Sequence, residues 1–389
     1  MSGIVFQKQF KIGVDKVNEP KHNLDRQTDR QTDRQTGPEL LRIIAMLLIM
    51  FHHFALHGGI EYTTFSLNNA YLNIIEFGGK IGVNIFIIIT GYFSCTSKFS
   101  FKKLLKLLFA VEFYSICLMV ISLLTGAQEF RIMLFVKGFL PLLFGNGYWF
   151  VTIYIILYVL SPILNVGIEK VSKSFLAFAI CFLLLIYCVL PNTIGIIKTI
   201  NNFEYSIVIW FIAMYLVGAY FRKYSFTLIK RRSLSFCLLL LCVVSMLIAR
   251  TAQLYYGSNL GGKIGDAIAS LANYGSNSLM SLAISICLFC AFLPLRKKGN
   301  KVFFSIAKAT FGVYLIHDSP LFSKYMWENI IHTKEMYASQ FFIPLSIISI
   351  ILLYIVCSII EIMREKYIEK PFFSIKKVER IVTKLNSIV

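Results

Sequence analysis

Residues 39–59, ELLRIIAMLLIMFHHFALHGG, decide how this chain is read. From Leu40 to Phe51 the stretch is almost wholly apolar, with Glu39 and Arg42 at one end and His52 and His53 near the other. Such a run predicts a transmembrane helix, which needs about 20 apolar residues. Arg42 and His53 are eleven residues apart. At about 100° per residue that returns them to nearly one face, separated by roughly 16 Å along the axis. Ala45, Met46 and Ile49 fill the stripe between them. Ionisable groups in a membrane helix are costly, so they turn toward protein or a watery cavity and mark function. The alternative is a boundary Arg42 with the histidines in the opposite interface.

Composition agrees with a membrane protein. The chain has 389 residues, 57% apolar and only 15% charged, with mean hydropathy +0.69. Soluble domains carry about a quarter charged residues. A net charge of +19 raises the question of nucleic acid, but the Lys and Arg lie in short clusters between apolar segments, so no nucleic-acid partner is expected. The nine cysteines lie in or beside apolar segments, and Cys287-Leu-Phe-Cys290 has no His or second pair nearby. They read as packing residues, with neither a disulfide framework nor a metal site implied.

Ten candidate spans follow one another, at about 39–57, 79–96, 103–125, 148–167, 174–191, 205–221, 234–254, 274–295, 303–319 and 341–363. The fold class expected is therefore all-α and polytopic. Residues 131–145, broken by Lys137 and Pro141, are too short to span and read as an interfacial or re-entrant piece. With the N-terminus inside and the loops alternating, 30 of the 39 Lys and Arg fall on cytosolic segments and 8 outside. That asymmetry obeys the positive-inside rule, so both termini are expected in the cytoplasm of a multi-pass cell-membrane protein. Arg42 then sits near the cytosolic boundary and His53 toward the outer half.

Three parts are expected: a polar tail over 1–37, a membrane domain over 38–365 and a basic cytoplasmic tail over 366–389. No cleavable signal peptide is recognisable, so the first apolar run reads as an uncleaved anchor. Residues 25–36 are three copies of Asp-Arg-Gln-Thr, a mixed-charge repeat that has no apolar surface to bury and is expected to be disordered. An iterated tetranucleotide encodes such a repeat, and its slippage would switch expression on and off by phase variation. A repeat number fixed across sibling colonies would refute that hypothesis.

Other side chains weigh as chemistry. Glu112 lies mid-span, and a buried carboxylate there calls for a partner such as Arg42, His52 or Lys106. Lys103 and Lys106, with Lys98 and Lys102, form a cytosolic basic cluster: an ordinary topology signal, or point charges for a donor's phosphates. Tyr148 and Trp149 read as interfacial belt residues or as a platform for sugar rings. His317-Asp318, after Tyr314, ends the ninth span and would hydrogen-bond a polar acceptor from an outward cavity. Phosphate loops, HExxH and metal-spaced clusters are absent, and Gly78-Gly79 and Gly261-Gly262 stand alone.

Several blocks taken together resemble the integral-membrane acyltransferase 3 family. ELLRIIAMLLIMFHH carries the family's Arg and His separated by ten residues, as Arg42 and His53, with the acidic Glu39 before them. GVNIFIIITGYF (82–93) is similar to its second span, with Thr90 where Ser is commoner. YWFVTIYIILYVLSPILN (148–165), TFGVYLIH (310–317) and KYIEKPFF (366–373) resemble its later blocks, in order. An Arg-x-x-Arg pair often follows the second span in the family; here Lys103 and Lys106 stand, without the planar fork of Arg.

The resemblance implies O-acyl transfer, most simply of acetyl, from cytosolic acetyl-CoA or another acyl-CoA to a hydroxyl of an envelope glycan or its lipid-linked oligosaccharide precursor. Arg42, Glu39, Lys103 and Lys106 would serve the donor. His53, with His52 in support and Glu112 as a further member, would do the chemistry as general base or brief acyl carrier. Tyr148, Trp149, Tyr314 and His317 would face the acceptor. The acyl-CoA is a co-substrate; no permanently bound cofactor is implied. The competing readings are a transporter or flippase using the same charged interior, and a polysaccharide polymerase. The first predicts inverted repeats and the second a large outer loop; neither is seen.

Overall fold

A computed structural model describes residues 35–60, 66–143, 147–193, 206–224, 231–256, 265, 268, 271–273, 275–296 and 298–387. The chain divides into two units, Met1–Gln35 and Thr36–Val389, and the fold described is that of the second. The Asp-Arg-Gln-Thr repeats as far as Arg34, and Gly261-Gly262, lie outside the described residues.

Among the described residues the fold is helical, with no strand. The helices are α1 (Thr36–His57), α2 (Leu67–Ser94), α3 (Phe101–Leu124), the short α4 (Ile132–Phe139) and α5 (Trp149–Lys170). There follow α6 (Lys173–Leu184, prolonged through a π turn at Leu185–Val189), α7 (Ile207–Lys223), α8 (Arg232–Tyr256), α9 (Leu279–Phe292) and α10 (Lys301–His317). The last are α11 (Phe342–Arg364, prolonged through a π turn at Glu365–Glu369 to Ser374) and α12 (Lys376–Asn386). Seven of them, α1, α2, α3, α5, α6, α8 and α11, are long and apolar enough to cross a membrane. α7, α9 and α10 stand where spans were expected but have 17, 14 and 17 residues, at or below the length that crosses hydrocarbon unaided.

Starts are set by side chains that accept the first orphan N–H groups. Ser66, Ser172, Ser206, Ser278 and Asn300 cap α2, α6, α7, α9 and α10 in this way. α2 begins twelve residues before the expected 79. Its first turns carry Asn69 and Asn73, both buried, where hydropathy sees no span. Their polar atoms are met inside the protein: Tyr337 donates to Asn69 Oδ1 and Arg250 to Asn73 Oδ1.

α2 is the most buried long helix, and Ile85, Ile87 and Ile88 have no exposed surface. It packs closely on α7 because two glycines leave room. A Cβ at Gly91 would strike the backbone of Tyr215, and one at Gly218 the carbonyl of Ile88. In a membrane, where apolar side chains gain little by leaving lipid, such close approach is a main source of helix association. A buried polar staple adds to it: Trp210 Nε1 donates to Asn84 Oδ1 (2.9 Å), and Asn84 Nδ2 donates to the Ser276 carbonyl (2.8 Å).

Candidate active site

α1 carries Arg42 and His53 on one stripe, with Ala45, Met46 and Ile49 between them no more than 5% exposed. At its C-terminal end His53 (8% exposed) meets the end of α10, where His317 is fully buried and Asp318 follows. His53 Nδ1 lies 3.0 Å from His317 Nε2 and 3.5 Å from Asp318 Oδ1. His57, one turn beyond His53, places Nε2 3.4 Å from the same Asp318 oxygen. One carboxylate thus serves two imidazoles, and a third imidazole touches the first.

The hydrogen bonds fix the tautomers. His317 Nδ1 lies 2.6 Å from the Val313 carbonyl, which only accepts, so this nitrogen carries the proton. Neutral His317 then has a lone pair on Nε2, and His53 Nδ1–H donates to it. The remaining nitrogen of His53, Nε2, therefore holds a lone pair. Its neighbours through Nδ1 orient the ring, and Asp318 stabilises the charge that the ring gains on taking a proton. This is the arrangement of a general base with its orienting groups.

His52 is turned elsewhere. Its Nδ1–H donates to the Glu76 carbonyl (2.6 Å), and its ring fills the space that a Cβ at Gly79 would occupy. It wedges α1 against α2 and touches the ring of His53 at 5.3 Å between centroids. Lys80, on the following turn of α2, interacts electrostatically with His52 and Asp318 and lies 5.8 Å over the Trp149 ring.

Tyr148 is buried, not a lipid-facing belt residue, and its hydroxyl donates to the Leu315 carbonyl (2.9 Å). Its ring packs on Tyr314, which in turn packs on His317. Trp149 remains 37% exposed at the edge of this cluster. Trp327, whose buried Nε1 has no hydrogen-bond partner among the described residues, closes on His317 from the other side. Tyr148, Tyr314 and His317 therefore belong to one assembly with His53.

The remaining expected residues lie apart from it. Glu112, on α3, bonds to none of its three expected partners. Arg42 Nη1 donates to both oxygens of Glu39 (2.9 and 3.0 Å), His52 is held by Glu76, and Lys106 donates to Glu369 (2.8 Å). Arg42 also lies 5.8 Å from the Phe93 ring at the end of α2, and Lys103 is exposed. Lys106, itself part-exposed, joins a chain of charges that sequence reasoning missed. Arg364 grips Glu361 through Nε and Nη2 (2.7 and 2.8 Å) and Glu369 through Nη2 (2.8 Å), and Tyr114 donates to Glu361 (2.7 Å). Two carboxylates balance two cations, so the group reads as an internal strut.

His53, His57 and Asp318 place one ligand atom each within 4.8 Å of one another, a donor set that suits zinc. His53 Nδ1, however, is already committed as a donor to His317, and a metal there would have to displace that proton. Within the set the contacts are the two imidazole approaches to Asp318, at 3.5 and 3.4 Å.

A family model described as the acyltransferase domain of the acyltransferase 3 group matches residues 35–362. No curated protein and no solved structure gives a match.

Proposed function

The chain belongs to the acyltransferase 3 family of membrane proteins, and from that premise we propose that it moves an acyl group, most simply acetyl, from cytosolic acyl-CoA to a hydroxyl of an envelope glycan. The setting proposed is a bacterial cytoplasmic membrane, with both termini inside and the His53 end of the bundle facing out. The observation that carries the reading is the shared Asp318 carboxylate, with His53 and His57 on α1 brought to His317 at the end of α10.

His53 Nε2 takes the proton from the acceptor hydroxyl as that oxygen attacks the thioester carbonyl. The new C–O bond forms, the C–S bond breaks, and the imidazolium returns its proton to the departing thiolate. Asp318 holds the imidazolium during the interval, while His317 keeps the ring turned. Lys80 supplies positive charge beside the developing oxyanion. Arg42, steadied by Glu39, and the exposed Lys103 meet the donor's phosphates at the cytosolic end; Tyr148 and Tyr314 shape the acceptor side, and Trp149 offers a ring face to the sugar.

The test is His53→Ala. The variant should remain in the membrane at normal abundance while ester-linked acetyl on the envelope glycan, measured by NMR, disappears. Retained acetyl esters would remove His53 from the chemistry.

A further inference from the structure

A cavity of about 750 Å³ opens beside the histidine end of the bundle, between the end of α3, the segment through α4, Gly147 and the turn at Pro320-Leu321. That volume falls in the range of small-molecule sites, roughly 300–1,000 Å³. Its rim is polar and charged, with Gln128, Glu129, Arg131 and Lys137. We infer that this cavity is the acceptor subsite and takes an anionic saccharide, with Lys137 meeting its negative charge; the inference rests on the acyl-transfer reading above.

Three observations carry it. First, the cavity is lined by the chain neighbours of the catalytic cluster, with Gly147 preceding Tyr148 and Pro320 two residues beyond Asp318. Leu321, which lines it, is three residues beyond Asp318, and its carbonyl accepts from Ser122 Oγ (2.9 Å) and Gln128 Nε2 (3.4 Å), which tie the turn to α3. Second, two polar groups in the lining lack a partner. Ser115, 3% exposed, makes no hydrogen bond among the described residues, and Lys137 makes neither a hydrogen bond nor an ion pair among them. Arg131, by contrast, is paired with Glu129 at 2.6 Å, so Lys137 is the cation left to bind. The Ser115 hydroxyl lines the cavity with its hydrogen-bonding capacity unspent on the described protein, so a sugar hydroxyl can take it up.

Third, α4 presents the cavity at a membrane surface. Leu134 and Gly138 are buried, and a Cβ at Gly138 would strike the Met119 sulfur, so this stripe is fixed against α3. Ile132, Phe139, Leu140 and Leu143 stay 46–80% exposed, a bed of apolar side chains suited to the lipid interface. An anionic saccharide reaches such a cavity either on a lipid carrier or as part of the finished polysaccharide. The two share the chemistry that Lys137 and Ser115 recognise.

The experiment uses the full-length protein in nanodiscs with acetyl-CoA. Two acceptor preparations from cells that carry the protein are compared: their extracted lipid-linked saccharide fraction and their released envelope polysaccharide. Lys137→Cys is assayed untreated, after a cationic aminoethyl methanethiosulfonate and after an anionic sulfonatoethyl one, with wild type as the reagent control. At subsaturating acceptor the rate should fall about tenfold in Lys137→Cys, return to within twofold with the cationic reagent and stay low with the anionic one. The preparation in which this pattern is seen identifies the source. Ser115→Ala should raise the acceptor KM severalfold and leave the KM for acetyl-CoA unchanged. If wild type transfers acetyl but Lys137→Cys matches it, or both reagents act alike, the cavity is not the acceptor subsite. If wild type acetylates neither preparation, the acyl-transfer reading itself falls.

Discussion

Asp318→Asn is the sharpest perturbation of the proposed chemistry, because it removes one charge and almost no volume. Asp318 Oδ1 stands 3.5 Å from His53 Nδ1. Once His53 takes the acceptor's proton, the pair is an imidazolium beside a carboxylate. Coulomb's law at an effective dielectric of about 20 gives roughly 4.7 kcal/mol for unit charges at that separation, and about 1.4 kcal/mol is tenfold in rate. That figure is a ceiling of about two thousandfold. The amide retains a carbonyl dipole, so the expected loss in kcat is about a hundredfold to a thousandfold. Because Asp318 acts through His53 and touches no donor, the KM for acetyl-CoA should hold steady, and Asp318→Glu should recover part of the rate. The assay is release of the CoA thiol on mixing purified enzyme with acceptor, beside a thermal melt of each variant. Activity within threefold of wild type, or a KM for acetyl-CoA that rises in step with the loss, would refute the reasoning.

Two further outcomes follow from the geometry. Dialysis against a strong chelator should leave acetyl transfer intact, since His53 Nδ1 is occupied as a hydrogen-bond donor to His317; loss of rate restored by zinc would assign His53, His57 and Asp318 to a metal. Gly218→Val should push α7 from α2 against the Ile88 carbonyl, at a cost of about 1–3 kcal/mol or more, seen as a lower melting temperature and poor yield from membranes; a melt equal to wild type would contradict the close packing.

Much of this fold was legible because apolar runs announce membrane helices. The face shared by Arg42 and His53 was legible too, as arithmetic on eleven residues. What escaped was whatever depends on partners distant in sequence. Asp318 was visible as a neighbour of His317, but its contact with His57, 261 positions away, leaves no local pattern. The start of α2 was hidden because Asn69 and Asn73 look like loop residues until Tyr337 and Arg250 are seen to satisfy them. Tyr148 resembled a belt residue because aromatic residues at a span's end usually face lipid; here the Leu315 carbonyl draws it inward. Glu361 and Arg364 were not singled out in the sequence, because nothing local shows that they and Glu369 bury one another.

That last cluster separates two kinds of basic residue that sequence pooled together. Lys103 and Lys106 lie one turn apart at the start of α3, yet Lys103 is exposed while Lys106 is held by Glu369 at 2.8 Å. Lys103→Met should therefore raise the KM for acetyl-CoA severalfold and leave the melt unmoved, since it deletes a charge that the protein itself does not use. Lys106→Met should do the reverse. Its side chain is 32% exposed, so solvent screens the pair and the stability lost is about 1 kcal/mol. Arg364→Met, with a side chain only 3% exposed and both carboxylates in its grip, strands those carboxylates inside the protein and should cost about 3–5 kcal/mol. A graded loss of melting temperature from Lys103 through Lys106 to Arg364, with the KM effect confined to Lys103, is the pattern of a strut beside a binding cation. Were Lys106→Met instead to raise the KM with its melt unchanged, the donor's phosphate would have to draw Lys106 away from Glu369 in every cycle, and the strut would be part of the donor site.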